Sequence, residues 1–482
     1  MKTLAIDQGT TSTRGILVDE NGQAELLFSA GHRQIYPKSG RVEHDGEELI
    51  RNLRACLDAA SEVKDLGAVG IANQGESCLA WNAATGEPLG PVIVWQDDRT
   101  NEWIEALRHD GAAPLVQERA GLPLDAYFSA SKLGWILREI PEAGALAAMG
   151  QLRLGTTDAF FRDRLTGRFE TDVATASRTS LMNLATGQWD ADLCRLFGVP
   201  LEALPPITPN TGDLGTLRCG TRAVPLTASI VDQQASLYGN GCRQAGDAKM
   251  TFGTGAFALT LTGPHLDQGG GGALPTVAWQ KAGHPTIYAL DGGIYAASSA
   301  INWAQNLGLC SDLSHISAFD NAPAISRGLA FVPALAGLAC PHWDRTARGA
   351  WMGLSLDTSP SDMMQAILEG IAFRMAEVVE AMEARQPLNG PIPIDGGMSA
   401  NGYFCQFLAN TLNRELIISE QPELTAIGTA ALAADAAGRP FALQRKGTRI
   451  VPDEHSADFR QIFEVARSAV QSFGATRPAG SP

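Results

Sequence analysis

Three short stretches hold residues with the chemistry to bind and transfer an anionic group. In "LAIDQGTTSTRGILVDENG", residues 4–22, an apolar run meets a turn of Gly, Thr and Ser beside one carboxylate, Asp7. Bare amides at Gly9, Thr10 and Thr11 can form a concave nest for phosphate oxygens, and Asp7 can hold a Mg²⁺ ion through water. A plain β-hairpin, whose threonines merely favour strands and turns, is the competing reading. The second stretch, "KMTFGTGAFALTLTG" from Lys249, repeats the design with Phe252-Gly253-Thr254-Gly255 at its turn. Two such turns on paired domains can grip one phosphate chain from both sides, which favours the functional reading of both. In the third stretch, "SIVDQQASLYG", a short apolar strand runs into Asp232. A carboxylate there can cap a helix N-terminus, or act as general base for a hydroxyl that attacks a phosphoryl group; the stretch alone leaves both open.

Other residues could shape a polar ligand site. Glu76 in "NQGESCLAW" follows an expected strand at 68–72 and falls on a loop, where it either reaches a ligand or faces solvent. Trp95, Tyr127 and Phe257 stand beside polar loops, and as unlinked aromatics they read equally well as core.

These residues need a scaffold. Apolar runs at 4–6, 15–18 and 24–28 predict an antiparallel meander. Leu49, Leu53, Cys56, Leu57 and Ala60 predict a helix over 46–63. The second hairpin suggests an internal duplication. Met364, Ile367, Ile371, Met375 and Val378 line one side of an expected helix over 361–384. It leads to "PIPIDGGMSANGYFCQFLANTL", a strand, a Gly-Gly turn and a helix, an order that can present amides to a nucleotide. A chain of 482 residues outgrows one core. We expect an N-terminal domain at 1–240, a C-terminal domain at 241–474 with a cleft between them, and a polar tail at 475–482.

Composition narrows the function classes. Hydrophobic residues make up 45% and charged residues 18%, as in ordinary folded proteins. A net charge of −15 argues against a broad nucleic-acid surface, because such binding needs Lys and Arg to displace counterions. Eight scattered cysteines, with no CxxC pair and no His at zinc-like spacing, fit reduced thiols without a structural zinc. With no signal-peptide core and no long apolar window, the expectation is a soluble cytoplasmic protein away from the membrane.

Longer stretches carry a resemblance. "YFSASKLGWILRE" (127–139) and "GAWMGLSLDTSPSDMMQAILEG" (349–370) fit, without a gap, the two signature patterns of the FGGY carbohydrate kinases. "IYPKSGRVEHD", "IVWQDDRT", "TASRTSLMN", "DQQASLYG" and "PHWDRTARGA" are also close to segments of that family's glycerol kinases, so the chain resembles the family almost end to end. The resemblance implies an α/β fold of two actin-like (ribonuclease H-like) domains with a duplicated βββαβαβα core. It also implies ATP and Mg²⁺ in the cleft, and transfer of phosphate to a terminal hydroxyl of a small polyol, glycerol or a close relative. A ketose or longer polyol (xylulose, ribulose, erythritol) is the alternative substrate, a non-catalytic actin-like sensor the remote one, and a homodimer the expected assembly.

By the same resemblance Asp232 is the base, Asp7 the Mg²⁺-associated carboxylate, and Thr10, Thr11, Ser12 and Arg14 the first phosphate loop. Gly253 and Thr254 meet the phosphates from the other domain, while Gly397 and Asn401 border the adenosine. Ser298 and Asn302 stand where relatives carry nucleotide-contacting Gly and Gln. The polyol site comprises Gly75, Glu76, Trp95, Tyr127, Asp232, Gln233 and Phe257, with carboxylate and amide oxygens accepting hydroxyl protons and aromatic faces covering the C–H side. One departure concerns "NQGE", where glycerol kinases carry "NQRE". Gly75 forgoes a charged donor, whose hydrogen bonds contribute about 1.5–3 kcal/mol each, and the vacated volume is expected to admit a longer substrate. The retained aromatics argue for a compact pocket instead. A second departure, the missing Gly-Gly-Lys in "TLRCGTRAVP", predicts no inhibition by a sugar bisphosphate.

Overall fold

A computed structural model describes residues 1–267, 271–311, 316–443, 447–453 and 459–476. The first apolar runs pair as an antiparallel meander of β1 (Lys2–Gln8), β2 (Ser12–Val18) and β3 (Ala24–Gly31), with Asp7 opposite Arg14. Leu4, Ala5, Ile6 and Ile16 are buried, because both faces of the sheet are covered; that is why these strands read as apolar runs rather than alternations. α1 (Gly46–Ala59) starts at Asp45, whose carboxylate accepts the Glu47 N–H at 2.9 Å. It ends before residue 63, yet Val63 packs on the same core from the following turn and so shares the helical period. The chain continues through β4 (Leu66–Asn73), parallel to β1, then α2 (Thr157–Thr166), β5 (Thr216–Cys219), β6 (Arg222–Val231) and α3 (Asp232–Gly239). The first sheet has the order β5-β6-β4-β1-β2-β3.

The second half opens with β7 (Ala248–Phe252), β8 (Ala256–Gly263), β9 (Leu274–Gln280) and β10 (Thr286–Ile294), followed by α4 (Ser298–Asn306). α5 (Pro360–Glu383) begins at a reciprocal capping box between Ser359 and Asp362. It leads to β11 (Ile392–Asp395), α6 (Gly402–Leu412), β12 (Leu416–Ser419), α7 (Leu424–Ala436) and β13 (Gly447–Ile450). The sheet order is β9-β10-β8-β7-β11-β12-β13, with β7, β11 and β12 parallel. With β5, β9, α4 and β13 set aside as additions, each half runs βββαβαβα, the duplicated actin-like core.

The halves interlock through their third helices. α7 lies on the first sheet against β1, β4 and β6, and Thr227 Oγ1 donates to the Ala433 carbonyl at 2.9 Å. α3 and α7 cross without room for a methyl group. A Cβ on Gly428 would stand 1.9 Å from the Ala235 oxygen, and one on Gly239 would stand 2.1 Å from that of Leu424. Elsewhere Asp125 accepts two bonds from the Arg345 guanidinium, at 2.6 and 3.1 Å, joining the halves by an ion pair.

α8 (Arg460–Ala475) docks Phe463, Ala466 and Val470 on the second core. The expected polar tail starts within it at Ala475, and residues 477–482 lie outside the described residues. Among the described residues no disulfide joins any of the eight cysteines. Among the described residues no helix is long and apolar enough to cross a membrane, and no three His, Cys, Asp or Glu gather as a metal-ligand set.

Candidate active site

A cavity of about 160 Å³ opens between the halves where both hairpins end. Thr10 lines it from the first, and Thr251, Gly253, Thr254 and Gly255 from the second. The first tip closes through the Gly9 N–H, which donates to the Ser12 carbonyl at 3.0 Å. The Thr10 carbonyl bonds His32 Nε2 at 2.8 Å and accepts from Gln34 Nε2 at 3.3 Å, while Thr10 Oγ1 accepts from Trp95 Nε1 at 3.1 Å. The second tip rests on the start of α4. Its Thr254 carbonyl accepts from the Ala297 and Ser299 amides and from Ser299 Oγ at 2.9 Å, and its Gly253 carbonyl accepts from the Ser298 amide. Thr11 is exposed, and Ser12 sits at the strand start. Arg14 does not line the cavity; its guanidinium is paired with Glu423 at 2.9 and 3.2 Å.

Asp232 opens α3 at the end of β6 and lines the same cavity. The capping position belongs to Val231, so the cap reading is not realised; Asp232 Oδ1 accepts only the neighbouring Gln233 N–H, at 2.7 Å. Burial, Asp7 and Glu76 push its carboxyl up to about 7, against the pull of Lys249. Burial and Glu423 push Asp7 up to about 6, against Arg14. Two acids raised by burial and by neighbouring carboxylates, Asp7 by Glu423 and Asp232 by Asp7 and Glu76, make a donor set a divalent cation would relieve, so the residues present fit Mg²⁺.

The polyol-side residues converge as well: Gly75, Glu76, Trp95, Tyr127, Gln233 and Phe257 all line this cavity. Glu76 is 5% exposed, which excludes the solvent-facing reading. Its backbone holds φ at 56°, a left-handed conformation that a non-glycine residue keeps only when its surroundings impose it. Ser129 Oγ fixes its carbonyl at 2.9 Å and Arg178 Nε its carboxylate at 2.7 Å. The three aromatics are linked, with Tyr127 and Phe257 meeting Trp95 edge to face at 5.7 and 6.2 Å between centroids.

Two expectations for this side need correction. The Gln233 amide oxygen already accepts from Lys249 Nζ at 2.6 Å, so beside that oxygen's second lone pair the side chain offers a ligand its NH₂ donor. The volume expected beside Gly75 is not vacant, since a Cβ built there would stand 2.8 Å from Val231 Cγ2.

Sequence reasoning missed the buried charges. Arg178 lies enclosed between Glu76 and Asp291, donating to the latter from Nη2 at 2.8 Å. Burial works against its charge, but Asp291 and Glu76 outweigh burial and hold it cationic; among the described residues its Nη1 has no protein partner. Lys249 is buried on β7, its pKa lowered by burial, and also bonds Thr251 Oγ1 at 2.7 Å. A lysine inside a short, mostly apolar strand was the available signal.

The adenosine-side residues stand apart from the cavity. Asn302 is exposed on α4. Gly397 begins a short 3₁₀ turn, Gly397–Ala400, beside the second hairpin: a Cβ on the preceding Gly396 would stand 2.3 Å from the Phe252 oxygen. The Asn401 side chain is engaged at both ends, accepting from the Phe404 N–H as cap of α6 and donating to the Ile316 carbonyl, both at 2.8 Å.

Known proteins resemble this chain in sequence and fold. Residues 2–239 match the model of the FGGY family of carbohydrate kinases, N-terminal domain, and residues 248–437 that of the family's C-terminal domain. The chain is 39% identical over 455 residues to a glycerol kinase of Haloferax volcanii, covering 90% of this chain and 89% of that one. It is 41% identical over 446 residues to a glycerol kinase of Alkalilimnicola ehrlichii, covering 90% of each. The crystal structure of Plasmodium falciparum glycerol kinase with ADP superposes with a TM-score of 0.87 at 30% identity over 98% of each chain. Two matching domain models, long alignments and a shared fold agree: the chain belongs to the FGGY family of carbohydrate kinases.

Proposed function

We propose that the protein uses ATP to phosphorylate a terminal hydroxyl of glycerol or a closely similar small polyol. The observation that carries this reading is the opening of both glycine-tipped hairpins, Asp232 and the Glu76–aromatic cage on one cavity. Asp232, poised near neutrality, orients the attacking hydroxyl and takes its proton as the new O–P bond forms. Glu76 accepts from a second hydroxyl, the Gln233 NH₂ donates to an oxygen, and Trp95, Tyr127 and Phe257 cover the C–H face. Amides of the two tips surround the phosphate oxygens as they gain charge. Asp7 would hold a Mg²⁺ ion, which would supply the positive charge that Arg14, committed to Glu423, does not bring to the cavity. The nucleotide's base side is assigned to the region of α4, Gly397 and Asn401.

A coupled assay of ADP release tests this reading: turnover requires polyol, and a nucleotide-binding sensor is indicated if no polyol elicits ADP. Asp232→Asn lowers kcat by about 10²–10⁴-fold with ATP binding kept; a variant of normal kcat removes Asp232 from this role. The base works deprotonated, so kcat/KM rises with pH through about 7. The raised pKa also bears on stability. Between the ordinary 3.8 and about 7 the folded state binds the extra proton, so stability falls as pH rises through that window. Asp232→Asn therefore melts a few degrees above the parent at pH 8, and the difference shrinks towards pH 4.

A further inference from the structure

Val231 is the last residue of β6 and stands directly before Asp232. It is 3% exposed and lines the substrate cavity together with Gly75. A methyl carbon added at Gly75 would stand 2.8 Å from Val231 Cγ2, well inside the roughly 3.5–4.0 Å of a carbon–carbon contact. The valine cannot easily withdraw. Its branched side chain is stiff at χ1, and its backbone is registered against Asn73 in the parallel ladder of β4 and β6. A side chain at 75 and a branched one at 231 therefore compete for one space, and here residue 231 holds it, giving that wall a methyl surface. The other walls are equally fixed: the edge-packed aromatics on one side, the buried Arg178–Glu76–Asp291 ion pairs on another.

Size follows from this. A cavity of about 150 Å³ accommodates benzene, with its six heavy atoms; the space here is about 160 Å³ and is shared with the two hairpin tips, so the part left to the acceptor is no larger than that. Glycerol also has six heavy atoms, whereas a pentulose has ten. We propose that Val231 is a specificity-determining residue which, paired with Gly75, confines the substrate to a three-carbon polyol or triose and rejects four- and five-carbon polyols and ketoses. The proposal rests on the kinase reading above and narrows its substrate class. It reverses the expectation that glycine at 75 opens the site.

The test compares kcat/KM for glycerol, dihydroxyacetone, erythritol, xylulose and ribulose in the parent, Val231→Ala, Val231→Thr, Gly75→Ala and the Gly75→Ala/Val231→Ala double variant, each checked by thermal melt. The parent favours its best three-carbon substrate over the pentuloses by about 100-fold or more, and Val231→Ala raises the erythritol-to-glycerol ratio about tenfold. Val231→Thr, of the same shape, keeps the parent ratio. Gly75→Ala lowers kcat/KM for glycerol about tenfold, and the double variant regains most of that loss, a coupling expected of residues that share one space. An unchanged ratio in folded Val231→Ala, or a double variant whose losses simply multiply, overturns the proposal. If the parent works best on a pentulose, the pairing fails while the kinase reading stands. If ATP binds but none of the five substrates releases ADP, the kinase reading itself fails.

Discussion

The two glycine-tipped hairpins repeat one design, strand, turn and strand, yet they are held in place by different means. The first is fastened chiefly by side chains: His32 and Gln34 hold the Thr10 carbonyl and Trp95 holds its hydroxyl, with one backbone bond from the His32 amide to the Thr11 carbonyl at 3.1 Å. The second is fastened by backbone, because the amides opening α4 point at the Gly253 and Thr254 carbonyls. Duplication has preserved the shape of the phosphate grip while its supports have diverged. Trp95 also belongs to the polyol cage, so the first tip is tied to the substrate wall by an indole across the cleft; the second reaches the same cage along its own strand through Phe257 and is held at its turn by close backbone approach.

Substitutions can break this contrast, and Gly255→Ala has the largest expected effect. Its Cβ would stand 2.7 Å from the Ile294 oxygen and 3.2 Å from that of Tyr295. The tip must shift, and a displacement of about 1 Å lowers kcat/KM for ATP by about 10²-fold, read in steady-state assays. Trp95→Phe comes next. It keeps a ring in the cage but loses the bond to Thr10, about 1 kcal/mol, and should lower kcat/KM for polyol about fivefold while also raising KM for ATP. A change confined to the polyol would show that the indole does not couple the two sites. Ser299→Ala removes one of three donors to the Thr254 carbonyl, and its effect on either substrate stays within about twofold because the two amides remain. Gly9→Ala sharpens the contrast from the other side. Its Cβ meets only the Ser12 oxygen at an ordinary 3.6 Å, so its loss in the same assay is far below that of Gly255→Ala.

The strands, the main helices and the paired turns were legible because their signals are local: apolar runs, helical spacing, glycine beside threonine. The FGGY resemblance then assigned roles that residue types alone had left open, Asp232 above all. What stayed hidden depends on side chains from distant segments. Arg178, Glu76 and Asp291 come from three separate parts of the chain, and their ion pairs leave no spacing to read. The orientation of the Gln233 amide is set by Lys249. Gly75 looks like an opening until β6 brings Val231 beside it. Arg14 looked free until α7 brought Glu423 across the interface.

The crossing of α3 and α7 has a consequence of its own. The Ala235 oxygen sits 1.9 Å from where a Gly428 methyl would be, and Asp232 begins the same short helix three residues earlier. A bulkier residue at 428 would pry at the seam between the lobes and tilt the proton acceptor in one movement. Assembly of the two lobes and aim of the reactive oxygen thus hang on a pair of backbones in contact, so a defect that begins as faulty closure is felt first as lost chemistry.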